Sequence, residues 1–154
     1  MTRLSLLFIS ATLFLGCRDS SIRRAPGDPV ALLEFRVEAA SANLPGVASF
    51  PDPGGHPILL RPEVVIRNAD ISSVEVEQSK GHFSVGLRFI PSAAARLERE
   101  TASNLGRRMA VLIDGKIVVA PLIRSAISSQ ARIDAHFTRD EAFRIARSVA
   151  PPAA

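Results

Sequence analysis

The sequence holds no tryptophan, no tyrosine and a single cysteine, and its three histidines lie far apart. Each scarcity removes a class of function. Without indole or phenol rings there is little surface on which bases stack. The formal net charge is only +4, and basic pairs such as Arg23-Arg24 and Arg107-Arg108 are scattered rather than set in a stripe, so no nucleic-acid partner is expected. One cysteine, Cys17, excludes an internal disulfide, and the fold must stand on its core. His56, His82 and His136 lack metal-ligand spacing. No His-Glu-x-x-His, Gly-x-Ser-x-Gly, phosphate-binding glycine loop or Cys-x-x-Cys occurs. Cys17 has no base nearby, and Asp114 precedes a glycine, where aspartate serves the backbone of a turn. The expectation is a non-enzyme with no cofactor and no metal. Long apolar runs are missing too once Leu15 is passed, so no later segment is long enough to span a bilayer as a helix.

What is present begins at the N-terminus. Arg3 is followed by an apolar stretch from Leu4 to Leu15, too short for a comfortable permanent span and typical of an export signal. It closes on Leu13-Phe14-Leu15-Gly16-Cys17, which resembles a bacterial lipoprotein signal whose cysteine becomes lipidated. Phe14 stands where that motif usually carries leucine, and an ordinary cleaved signal with an incidental cysteine is the alternative. Residues 1–17 are therefore expected to be a lipoprotein-type signal ending at Cys17. Residues 18–29, polar and interrupted by Pro26, Gly27 and Pro29, are expected to be a flexible tether. Residues 30–150 form the domain and 151–154 a tail.

The domain reads as α+β: a largely antiparallel sheet with two helices packed on it and an Asp-Gly hairpin at its centre. Leu33, Phe35 and Val37 alternate with Glu34, Arg36 and Glu38, a half-buried strand. Residues 41–57, rich in proline and glycine, are expected to be a long open loop. Strands follow at Ile58–Leu60, Val64–Ile66, Ile71–Val76 and Phe83–Phe89, with a turn at Lys80-Gly81, giving the outline of an antiparallel meander. Ser92 is placed to cap a helix that carries Ala94, Leu97, Thr101 and Leu105 on one stripe, and Gly106 suits the C′ position that ends it. Met109–Ile113 and Ile117–Ala120 flank Asp114-Gly115, whose tolerance of positive φ suits a type I′ turn. Pro121, lacking an N–H, ends the second strand. A short strand at Ala131–Ala135 precedes a capping box, Thr138 to Glu141, and a helix with Ala142, Phe143, Ala146 and Val149 inward. Pro151-Pro152 stops it.

These residues carry a resemblance. Thr101, Asn104, Gly106 and Arg107, then Ala110-Val111-Leu112-Ile113-Asp114-Gly115-Lys116, Ala120-Pro121-Leu122-Ile123, and Phe137-Thr138 with Glu141-Ala142 are similar to the first periplasmic domain of the SecD family of protein-export membrane components. Leu32 to Arg36 and the Phe83–Phe89 strand fit it more loosely. Two departures stand out: the family usually has Gly-Gly near Ser128-Ser129 and glycine where Ala135 sits. The resemblance implies the head region of that domain, here as a stand-alone, lipid-anchored chain on the periplasmic side of the envelope. It also implies that contact is made with exported or unfolded polypeptide, or with Sec-type translocon components. The family's membrane helices, which couple proton flow, are not in this sequence. Val47 and Phe50, in the 41–57 segment, are the candidate polypeptide-binding residues. Thr101, Asn104, Gly106, Asp114, Gly115 and Pro121 are motif residues expected to be structural, with Thr101 and Asn104 hydrogen-bonded to the hairpin backbone. The alternative is an accessory envelope lipoprotein that binds a fixed partner, using the basic helix face at Arg144 and Arg147.

Overall fold

The computed structural model describes residues 21–154. Its elements are β1 (Leu33–Val37), β2 (Ala48–Pro51), β3 (Pro57–Leu60), β4 (Ile66–Arg67), a 3₁₀ turn (Asn68–Asp70), β5 (Ile71–Ser79) and β6 (His82–Phe89). After these come α1 (Pro91–Ala102), β7 (Met109–Ile113), β8 (Lys116–Val119), β9 (Gln130–Phe137) and α2 (Arg139–Val149). The strands pair antiparallel throughout, and the fold is α+β.

The strands do not form one meander. They divide into a four-stranded sheet in the order β4-β1-β7-β8, a β2-β3 hairpin, and a three-stranded sheet β5-β6-β9. Of the four strands expected in the meander, only β5 and β6 pair in succession, turning through Lys80 and Gly81, which both have positive φ. β1 instead pairs along its whole length with β7, from Leu33 opposite Ile113 to Val37 opposite Met109. The reason lies in β7, whose run Met109-Ala110-Val111-Leu112 is buried on both faces. Such a strand belongs inside a sheet, with cover on each side.

The two faces can be followed residue by residue, because cross-strand partners share a face. Leu33, Phe35, Val37, Met109 and Val111 enter the main core. There they meet Val74, Val85, Leu87 and Ile133 of the other sheet, Ala93 and Leu97 of α1, and Ala142, Ala146 and Val149 of α2. Phe35 and Phe89 touch edge to face, with centroids 5.9 Å apart. On the opposite face, Ala110, Leu112 and Ile117 form a second cluster with Ile58 and Leu60, with Phe50 packed against it. The β2-β3 hairpin is the cover of that second face.

This corrects the expectation of a long open loop at 41–57. Ala48 pairs with Leu60 and Pro51 with Pro57, around a turn in which the Asp52 carboxylate accepts the His56 N–H at 2.8 Å. Burial of Phe50, Ile58 and Leu60 against β7 and β8 outweighs a composition that favours coil.

Several local details differ as well. The α1 cap is Ile90 with Pro91 at the first helical position, so Ser92 lies inside the first turn and caps nothing. The buried stripe is Ala93, Leu97 and Thr101, while Leu105 falls beyond the helix and is exposed. Phe143 is half-buried beneath Arg139 rather than in the core. Residues 22–25, expected in the flexible tether, are pinned: the Ile22 N–H donates to Val74 at 2.6 Å and the Arg24 N–H to Pro151 at 3.0 Å. The α2 capping box is formed as read, with Thr138 and Glu141 bonded reciprocally. Cys17 and the signal segment lie outside the described residues, and no described helix is long and apolar enough to cross a membrane.

Candidate functional site

Asp114 and Gly115 join β7 to β8 with φ of 50° and 77°, and Ile113 pairs with Lys116 directly across the turn. The turn also holds the start of β1. The Asp114 carboxylate accepts the Leu32 N–H at 2.8 Å, and the Asp114 N–H donates to the Leu32 carbonyl at 2.9 Å. Asp114 is thus a clasp between two segments 82 positions apart, a role that no local pattern discloses.

Thr101 is fully buried. Its hydroxyl donates to the Leu97 carbonyl and accepts the Ile127 N–H, both at 2.8 Å. Asn104 donates to the Glu100 carbonyl at 2.7 Å. Contrary to expectation, neither side chain bonds to the hairpin. Thr101 instead holds the segment that leads from β8 to β9, and Asn104 closes the end of its own helix. Gly106 (φ 82°) stands three residues beyond the C-cap, Ser103, rather than at C′. Its N–H donates to Ile123 at 2.9 Å, so the left-handed turn aims the chain into β7 beside the returning strand. Pro121 follows β8, and its carbonyl accepts the Met109 N–H at 2.9 Å.

Val47 and Phe50 are both half-buried. Phe50 packs on the second cluster, with the Arg36 guanidinium 6.0 Å from its ring centre. The two are therefore parts of a packed hairpin rather than of an open loop.

A groove of about 530 Å³ opens beside that hairpin. Asp52 and Pro53 stand at one end, Val118, Val119, Ala120 and Pro121 form one wall, and Arg132, Asp134, Ala135 and His136 form the other. The walls are β8 and β9, and each is the last strand of its sheet. Hydrogen bonding to His56 and Gly54 backbone N–H groups, aided by the neighbouring imidazole, holds the Asp52 carboxyl below its ordinary value. β9 is irregular here, with His136 in the left-handed region (φ 54°). Sequence spacing keeps the histidines apart, yet the pairing of β6 with β9 stacks His82 on His136 with centroids 4.5 Å apart. His82 Nε2 lies 3.6 Å from the Asp134 carboxylate. Among the described residues no group of three or more His, Cys, Asp or Glu is arranged to hold a metal ion.

Comparison with known proteins places this architecture. The chain is 34% identical over 89 residues to the protein translocase subunit SecD of Elusimicrobium minutum, covering 56% of this chain and 19% of that protein. It is 35% identical over 94 residues to the protein translocase subunit SecDF of Thermus thermophilus, covering 57% of this chain and 13% of that one. It thus spans less than a fifth of the length of these relatives. A solved structure of a membrane component SecDF that enhances protein export superposes with a TM-score of 0.64 at 25% identity, over 82% of this chain and 64% of that one. SecDF in a super-membrane-facing form gives 0.65 at 25% identity, over 82% of this chain and 19% of that one. The SecDF P1 head subdomain matches residues 45–150, which include both helices, the Asp114-Gly115 hairpin and the groove, and the chain belongs to that protein-export family.

Proposed function

We propose that the domain binds extended polypeptide during protein export, held on the periplasmic side of the envelope through Cys17. One observation carries the reading: β8 and β9 turn two unpaired sheet edges toward a single groove with an apolar wall. An unfolded chain offers main-chain N–H and C=O groups all along its length. It can add as a strand to either edge while Val118, Val119 and Pro121 take its apolar side chains, which suits recognition without sequence specificity. The neighbouring β2-β3 hairpin, with Val47 and Phe50, then serves as the wall that shapes the groove and extends its contact surface. Family membership supports a partner drawn from translocating polypeptides or the Sec translocon.

The test is photocrosslinking in living cells from a photoreactive residue at Val118 and, separately, at Phe50. The expected product is a ladder of many exported polypeptides that disappears when export is blocked, stronger from Val118. A single discrete partner from both positions would refute client binding and favour an accessory role with a fixed complex.

A further inference from the structure

A second concavity lies away from the groove between β8 and β9, along the outer side of α2. It is lined by Val30, Ala31, Ile113 and Ile145, with Arg144 and Arg147 at its rim. Val30, on its lining, is 63% exposed. Among the described residues, Arg144 and Arg147 close no ion pair, whereas Arg36, Arg61, Arg96 and Arg132 each do. The acids that line this site, Asp28 and Asp114, have carboxylates turned back onto the backbone N–H groups of Ala25 and Leu32, and Glu141, one turn before Arg144, has its carboxylate on the Thr138 N–H and hydroxyl. Exposed apolar surface beside arginines free of a closed ion pair fits a ligand that is greasy and anionic at once.

The path of the chain says which ligand. The N-terminal segment runs along this same concavity, joined to the end of α2 by Arg24 to Pro151 and Ala31 to Ser148 backbone bonds. Ile22 is already pinned to Val74. It is the fifth residue after Cys17, a reach of at most about 18 Å of extended chain. If a lipid on Cys17 holds that end in a membrane, the entry side of the domain stays within that reach of the lipid.

We infer that this face, with Arg144 and Arg147 at its rim and Val30 and Ile145 between, docks on an anionic phospholipid surface. The arginines meet headgroup phosphates while the apolar residues settle at the acyl boundary. The orientation rests on the membrane-held N-terminus proposed above. Polypeptide capture at β8 and β9 does not depend on it and is read by a separate assay.

The absence of tryptophan and tyrosine makes the test clean. Val30→Trp in the full chain, reconstituted in vesicles of brominated phosphatidylcholine with or without phosphatidylglycerol, reports contact with acyl chains by quenching. Leu105→Trp, beyond the other end of β7, serves as the reference. Strong quenching at Val30 in anionic vesicles alone is expected, with little at Leu105. Charge reversal at Arg144 and Arg147 should weaken the contact roughly tenfold, as should raised salt. Arg144→Gln with Arg147→Gln should act in the same direction without setting a new carboxylate against Glu141 on the helix. Unchanged melting temperatures exclude unfolding as the cause. Quenching that is equal at Val30 and Leu105, indifferent to lipid charge, or unmoved by both pairs of substitutions overturns the inference. So does binding of an acidic peptide at the arginines without lipid contact.

Discussion

Thr101 offers the sharpest test of how the motif residues act. Thr101→Val keeps the shape of the side chain and removes only the hydroxyl. The Ile127 N–H, which now reaches Thr101 at 2.8 Å, then has no partner in the protein. An unsatisfied buried donor costs about 1–3 kcal/mol. Ile127 is only half-buried, so water replaces part of the lost bond and the cost should fall near about 1.5 kcal/mol. The Leu97 carbonyl loses little, since it remains within the helix. For a chain of this size that corresponds to a drop of roughly 3–6 °C in melting temperature. Thr101→Ser supplies the contrast: it keeps the hydroxyl and loses one buried methyl, about 1 kcal/mol. The two variants therefore have similar melting temperatures but different local signatures. Hydrogen exchange read at the Ile127 amide should be faster in the valine variant and unchanged in the serine variant. Equal protection in both would refute the role assigned to the hydroxyl, as would an equal loss in both.

Other residues give separate tests. Asp114→Ala should cost about 2 kcal/mol, from left-handed strain and the lost Leu32 clasp, while Asp114→Asn should be nearly neutral in urea denaturation. Leu97→Ala, at a fully buried position in α1, should cost about 3 kcal/mol by the same measurement. Glu141 is held below its ordinary value near 4.5 by the Thr138 N–H, then the Thr138 hydroxyl, with Arg144 assisting. A depressed folded pKa contributes stability that is present above the unfolded pKa and lost as pH falls through the folded one. Exchange protection in the first turn of α2 should therefore decline on acidification through the carboxylate range, and Glu141→Gln should flatten that dependence. Phe50→Asp should lower the melting temperature, because the ring packs on the second cluster. Val118→Ser, on edge strand β8 and packed in part against the main core, should cost about 1 kcal/mol and weaken client crosslinking at temperatures where the variant stays folded.

Local chemistry was enough to specify much of this protein from its sequence. Asp114-Gly115, the Thr138–Glu141 box, the alternation in β1 and β6, and the two helices each depend on neighbours within a few positions, where spacing and residue type decide the outcome. The α+β class and the family motif follow from the same short patterns. Which strands share a sheet was not written at that range. The pairing of β1 with β7, the hairpin hidden in residues 41–57, the Asp114 clasp on Leu32 and the Thr101 hold on Ile127 join residues distant in the chain. The first two exist because the apolar run Met109–Leu112 must be covered on both faces. The groove between β8 and β9 has the same origin, since an edge is defined only when every other strand has found its partner. Turns and helices were decided by adjacency, and the surfaces on which function rests were decided by packing.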